Sequence, residues 1–236
     1  MTPFTPPPSY DRIRLVGSFH ELAATPFEGC VNALCWPRTL AGDFGEVVEL
    51  LAAGEGITSL DDARLLSLPV SAAGRVAVDI LLEDQRRLRA LDLDPVLDCI
   101  NGYPRDENPG AVPTDVCSFH ADSATAAADT WLCTYHGPAS EGLRNDEAVR
   151  RVDIPATRAE LLKLFGGDDD AGFLEYLSEN SYDLHYLPVA HAQPFSFGIG
   201  NLWRVAVDWP GSPVPPCFHR APSTLPGDPP RLLLIS

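Results

Sequence analysis

Hydrophobic and polar positions change their rhythm near residue 95. Before it, Phe44 to Ala53 carries Phe44, Val47, Val48, Leu50 and Leu51 at helical spacing. A longer helix is predicted from Ala72 to Leu91, with Val76, Ile80, Leu81 and Leu88 on one side and Glu83, Asp84, Arg86 and Arg87 mostly on the other. The run Cys30 to Arg38 reads as a strand ended by Pro37, so residues 13–94 form a mainly helical N-terminal layer. After Pro95, short apolar runs alternate with Pro, Gly, Asn and Asp clusters: Val96–Ile100, Val116–Phe119, Trp131–Tyr135, Phe195–Phe197, Trp203–Trp209, Cys217–His219 and Arg231–Ile235. That is strand texture. One helical insertion, about 156–180, interrupts it, broken at Gly166 to Asp170. The pattern predicts a single domain whose β-barrel or two-sheet core, about 95–236, carries helices on one side, preceded by a flexible arm over the proline-rich residues 1–12.

Composition narrows what such a domain does. The 45% hydrophobic content supplies an ample core, and 23 prolines suit short strands joined by rigid turns better than a helix bundle. A net charge of −16 repels phosphate backbones and anionic lipid heads, which argues against nucleic-acid and membrane partners. No apolar run approaches the roughly 20 residues of a membrane helix, and the opening MTPFTPPPSYDR lacks the basic and apolar regions of a signal peptide. A soluble cytoplasmic protein acting on a small molecule is expected. The six cysteines contain no C-x-x-C pair, so they read as free thiols.

The candidate chemistry lies in the β-rich part. His120 and Asp122 are two residues apart at the end of the predicted strand Asp115–Phe119, so in extended backbone both side chains point to one face. His219 stands near the end of a late strand, and two histidines with one carboxylate are the ligand set that holds non-haem Fe(II) with positions open for cosubstrate and O2. Arg231 opens the last strand, where its planar fork suits a carboxylate beside the metal. The competing reading makes His120 and Asp122 a surface pair, His219 a core histidine and Arg231 the partner of an acid. Cys217, two residues before His219, either lines the pocket or fills the core. His136, His185 and His191 are alternative metal ligands of a cupin-like site, but each reads first as a loop or surface histidine, and Asp168 to Asp170 reads as a helix cap. The sequence has no G-x-S-x-G, P-loop or G-x-G-x-x-G.

The H-x-D…H…R pattern over Asp115 to Ser236 resembles the Fe(II)/2-oxoglutarate-dependent oxygenase superfamily. Within it, Cys117-Ser-Phe-His-Ala-Asp122, Leu132-Cys-Thr-Tyr135, Gly137-Pro138, His219-Arg-Ala-Pro222 and Arg231-Leu-Leu-Leu234 are also similar to an uncharacterised bacterial family known as a domain of unknown function, as is Val31 to Arg38. Thr130 stands where that family is expected to carry an arginine, and Ala139-Ser-Glu-Gly142 replaces a more usual Gly-Thr-Glu-Trp. The resemblance implies a mainly β double-stranded β-helix, a jelly-roll or cupin-like barrel. His120, Asp122 and His219 would ligate Fe(II), and Arg231, with Thr134 and Tyr135, would hold the cosubstrate 2-oxoglutarate. It further implies use of O2, oxidative decarboxylation of 2-oxoglutarate to succinate, and hydroxylation or another oxidation of a small soluble molecule, such as an amino acid or natural-product intermediate. For Tyr135 a core aromatic with a satisfied hydroxyl is the alternative. Part of Ala139 to Pro194 is expected to overhang the metal, with Arg144 and Asn145 as substrate contacts. A non-catalytic cupin-like protein that binds a metal or small ligand as a sensor is the second functional reading.

Overall fold

The computed structural model describes residues 4–51, 54–103, 110–224 and 227–236. In chain order its N-terminal elements are β1 (Ile13–Leu15), α1 (Phe19–Ala24), β2 (Ala33–Trp36), α2 (Phe44–Leu51), β3 (Gly56–Leu60), α3 (Asp62–Ser67), α4 (Ala72–Arg89) and β4 (Val96–Asn101). They are followed by β5 (Asp129–His136), β6 (Glu141–Leu143), β7 (Ala148–Arg150), α5 (Pro155–Phe165), α6 (Ala171–Glu179), β8 (Tyr186–Pro188), β9 (Phe195–Ser196), β10 (Leu202–Ala206), β11 (Phe218–Arg220) and β12 (Arg231–Ile235). Seven strands form one sheet in the order β1-β2-β10-β5-β12-β4-β3, antiparallel except for the β1–β2 pair. Strands β11, β6 and β9 form a second sheet and β7 pairs with β8. The protein is therefore mixed α and β around a large, mostly antiparallel sheet.

Period-two alternation divides the large sheet into two differently used faces. Leu34, Trp131, Cys133, Leu202, Leu232 and Leu234 point toward the helices and pack with Val47, Leu65, Val78, Leu81 and Leu88. Their neighbours Cys35, Leu132, Trp203, Val205 and Leu233 point the other way and pack with Phe197 and Cys217, which adjoin β9 and β11. Helices α4 and α6 start where side chains satisfy their free N–H groups. Ser71 accepts from the Gly74 amide to open α4, and Asp170 accepts from the Gly172 and Phe173 amides to open α6. Helix α5 stops at Gly166, whose φ of +75° suits glycine.

The helical layer is pinned to the sheet by a buried ion pair. Arg38, just after β2, forks onto Asp84 of α4 at 2.9 and 2.7 Å, and the Asp84 side chain is 1% exposed. Asp84 also accepts from the Tyr135 hydroxyl at 2.8 Å, while Arg38 Nε donates to the Gly200 carbonyl. Tyr135 lies on the helix face, stacked on Phe44, and a register irregularity opposite Leu232 and Leu233 leaves it between the paired residues Thr134 and His136.

Three expectations need correction. The segment 13–94 is not only a helical layer: β1, β2 and β3 all belong to the large sheet, with β1 and β3 at its two edges. An edge strand with one wet face carries too few apolar positions to stand out, as the exposed Arg14 and Leu15 and the half-exposed alternation of β3 show. The predicted strand at Val116–Phe119 is mostly turn, because the Asp115 carboxylate accepts from the Cys117 and Ser118 amides and bends the chain. Of the arm, residues 1–3 lie outside the described residues and the rest is docked: Phe4 meets Trp203 edge-on at 4.8 Å, and Tyr10 is buried. The second helix ends at Leu51, and Ala52 and Ala53 lie outside the described residues. No helix among the described residues is long and apolar enough to cross a membrane.

Replacing Asp84 by Asn keeps its shape but leaves the Arg38 guanidinium without its countercharge in the interior. Removing one partner of such a pair costs about 3–5 kcal/mol. Urea unfolding of Asp84→Asn should show a midpoint lowered accordingly at an unchanged slope. An unshifted midpoint would mean that the pair contributes no stability.

Candidate metal centre

The site begins with backbone pairing. His120 and His219 exchange both backbone hydrogen bonds, His120 N–H to the His219 carbonyl at 2.9 Å and the reverse at 3.0 Å. On its other side His120 faces His185, flanked by bonds from Ala121 N–H to the Leu184 carbonyl and from Tyr186 N–H to the Phe119 carbonyl. His219 in turn is opposite Gly142, and Gly142 opposite Phe195. One cross-strand row thus reads His185, His120, His219, Gly142, Phe195, and residues in a row share a face. Their sequence neighbours Phe119, Ala121, Leu143 and Phe218 gather in a separate apolar cluster, joined by Tyr186 stacked on Phe218 at 3.7 Å. Burying those residues outward turns the three imidazoles inward, toward the large sheet.

Gly142 is the gap in this row. A Cβ there would lie 2.3 Å from the Phe195 ring and 2.6 Å from Phe197, so the space beside His219 is filled by two phenyl rings instead. This is the physical reason why no larger residue stands at position 142.

Asp122 completes the set. Its two carboxylate oxygens lie 3.6 Å from His120 Nε2 and 3.5 Å from His219 Nε2, and one ligand atom from each of the three residues falls within 4.8 Å of the others. His120 Nδ1 is bonded to the Ser118 carbonyl at 2.8 Å, and His219 Nδ1 is 3.5 Å from the Cys217 carbonyl. A carbonyl can only accept, so these contacts place the proton on Nδ1 and leave the Nε2 lone pairs toward Asp122. Burial, with a smaller contribution from His219, pulls the His120 pKa down to about 4, so it is neutral and able to ligate at pH 7. Burial acts to raise the Asp122 pKa, but His219, the Thr130 hydroxyl bond and His120 together outweigh it and hold the carboxyl below its usual value. Two Nε2 donors and one carboxylate suit a divalent transition metal with open positions.

Arg231 lies deeper between the sheets. It has the same parity on β12 as Leu233, hence faces the second sheet, and it is 1% exposed. Its guanidinium donates to the Tyr103 hydroxyl, to Ser140 Oγ at 2.9 Å and to Thr134 Oγ1 at 3.2 Å, while its buried Nε has no partner. It forms no ion pair with a carboxylate among the described residues. Ser140 stands two residues before Gly142, the register partner of His219, a step of about 6.7 Å in extended chain. Gly137, φ +76°, lets the β5–β6 turn approach β12, since a Cβ there would meet the Pro230 carbonyl at 2.6 Å.

The other expected site residues fall as follows. Thr134 joins Arg231, but Tyr135 does not, because consecutive strand residues face opposite ways and its hydroxyl is committed to Asp84. Cys217 is buried in the core next to Asp122, whose charge, after burial itself, pushes the thiol pKa up to about 12. Arg144 and Asn145 do not overhang the metal. Arg144 pairs with Asp146 and covers Tyr10, and Asn145 bridges the Tyr10 hydroxyl, Asn32 and the Pro216 carbonyl, so both clamp the N-terminal arm. Arg220 pairs with Glu141 and Arg204 with Asp129, away from the Arg231 position. His185 is no surface histidine: it is 5% exposed beside His120, and its Nδ1 has no partner. Tyr103 was likewise not singled out by sequence, and Thr130 and Ser140 entered only as departures from the resemblance, with no role given to either.

Titration of the purified protein with Mn(II) should give one tight site that Asp122→Ala and His219→Ala each abolish. Thr130→Val, which frees one Asp122 oxygen, should weaken it about 10–100-fold. Tyr135→Phe should leave it unchanged; a comparable loss there would put the site on the wrong face of β5. No protein-family model, no curated protein and no solved structure matches this chain.

Proposed function

We propose that the chain is a non-haem Fe(II), 2-oxoglutarate-dependent oxygenase of the cytoplasm that hydroxylates, or otherwise oxidises, a small soluble molecule. The large sheet and the smaller sheet facing it across His219 are read as the two walls of a double-stranded β-helix. The observation that carries the proposal is Arg231. Among the described residues this guanidinium, taken out of water, bonds hydroxyls and no carboxylate and leaves Nε without a hydrogen bond, an expensive arrangement whose cost an anion entering the site offsets. Its position, about one two-residue step from the row that holds His219, suits the far carboxylate of a five-carbon dicarboxylate whose other end reaches the metal.

The division of labour follows from the residues. His120, Asp122 and His219 would hold Fe(II), which when bound supplies O2 activation and the oxidising power. Thr130 keeps Asp122 turned toward the histidines, and the Ser118 and Cys217 carbonyls keep both imidazoles in the ligating tautomer. Arg231, Thr134, Ser140 and Tyr103 would bind and orient the distal carboxylate. No disulfide joins cysteines among the described residues, which is consistent with a reducing compartment.

Anaerobic addition of Fe(II) and then 2-oxoglutarate should produce the weak visible charge-transfer band of the chelate, and admitting O2 should release succinate. Arg231→Gln should weaken 2-oxoglutarate on the order of 100-fold while Fe(II) binding persists, because a desolvated charge pair contributes several kcal/mol. If Fe(II) binds and neither band nor succinate appears at any 2-oxoglutarate concentration, the oxygenase reading fails and the metal-sensor reading replaces it.

A further inference from the structure

Two cavities open from the metal centre on the side of His120. The inner one, about 240 Å³, is walled by His120 and Asp122 and by Asp115, Ser181, Leu184 and His185. The outer one, about 550 Å³, shares Ser123, Ser181 and Leu184 with it and continues past Asp183 and Asp208 to Trp209. They form one trough whose wall is partly the stretch Ser178 to His185 that follows the helical insertion.

The lining is one-sided in charge. Asp115, Asp183 and Asp208 contribute carboxylates, and no lysine or arginine lines either cavity among the described residues. Asp115 is partly used, since it caps the turn at Cys117 and Ser118. Asp183 and Asp208 have no ion-pair partner among the described residues, and one Asp183 carboxylate oxygen is buried without a hydrogen bond. At the metal end His185, 95% buried by its 5% exposure, presents an Nδ1 that no protein group satisfies. Arg151, the arginine near His185, is not part of the lining. Unsatisfied buried acceptors cost free energy unless something that enters the cavity donates to them.

We infer that this trough is the substrate site of the proposed oxygenase and that it takes an amine-bearing small molecule, with the ammonium between Asp183 and Asp208 against Trp209 and a polar group near the reacting carbon bonded to His185. The inference rests on the oxygenase reading for the word substrate, not for the binding. Two carboxylates and an indole face are the groups that select an ammonium over a neutral or anionic head. A hydroxyl-lined wall of Ser123, Thr125, Ser178 and Ser181 serves the remaining polar atoms.

The test uses the full chain at about 150 mM salt, which screens diffuse attraction to its negative surface. Calorimetry with 1,5-diaminopentane should show one saturable site, with 1,5-pentanediol and glutarate at least tenfold weaker there. Asp183→Asn and Asp208→Asn should each weaken the diamine about tenfold, and the double variant should lose the site, with thermal melts verifying that each variant is folded. Equal binding of the diol, or undiminished diamine binding to a folded double variant, overturns the inference. The two readings fail separately: diamine binding without a 2-oxoglutarate chromophore keeps the amine site and sinks the oxygenase, and a chromophore without diamine binding does the reverse.

Discussion

Adjacent residues on a strand must face opposite sides of the sheet, and the arrangement of charge in this protein follows from that constraint. On one side of the large sheet Arg38 meets Asp84 in a closed, fully paired contact that Tyr135 and the Gly200 carbonyl complete. On the other, Arg231 bonds hydroxyls and no carboxylate among the described residues. Both guanidiniums are nearly removed from water, yet one is balanced within the fold and the other is not. The paired arginine fastens helix to sheet, and Arg231, with no carboxylate partner among the described residues, is the group that the proposed function assigns to an anion. Since Thr134 and Tyr135 are neighbours on β5, a single strand supplies a hydroxyl to each system.

The alternation also explains how the histidines come to share a direction. Nothing in the side chains themselves turns His120, His185 and His219 inward; their neighbours Phe119, Tyr186 and Phe218 do, by burying apolar area on the outer side. Ligand orientation is thus a by-product of packing on the opposite face, which makes the outer cluster part of the site in an energetic sense. Substitutions there would reach the centre through the backbone rather than by contact.

Much of this was legible in the sequence where patterns are local. The i, i+2 spacing of His120 and Asp122, the strand at Arg231–Ile235 and the long helix from Ala72 all depend on neighbouring residues, and the structure places them so, with α4 ending at Arg89. Positions that depend on distant partners were not legible. His185 reads as a loop residue because its burial comes from His120, sixty-odd positions earlier, and Tyr135 was assigned to the cosubstrate because strand parity was not applied to its neighbour Thr134. Arg144 and Asn145 looked like lid residues only because the docked arm that occupies them could not be foreseen from its prolines. The edges β1 and β3 escaped notice because a strand with one wet face has little apolar signal.

The reciprocal backbone bonds between His120 and His219 close a loop of about a hundred residues that contains β5 through β10. Closing so long a loop costs entropy that is recovered only once the intervening strands have found their partners. The ligand set therefore comes into being late in folding, and no metal ion can template it early, since neither half offers more than His120 with Asp122 or His219 alone. On the proposed reading, loading of a metal would therefore follow folding, and which divalent ion entered would depend on the ions present when the finished site first opened to solvent.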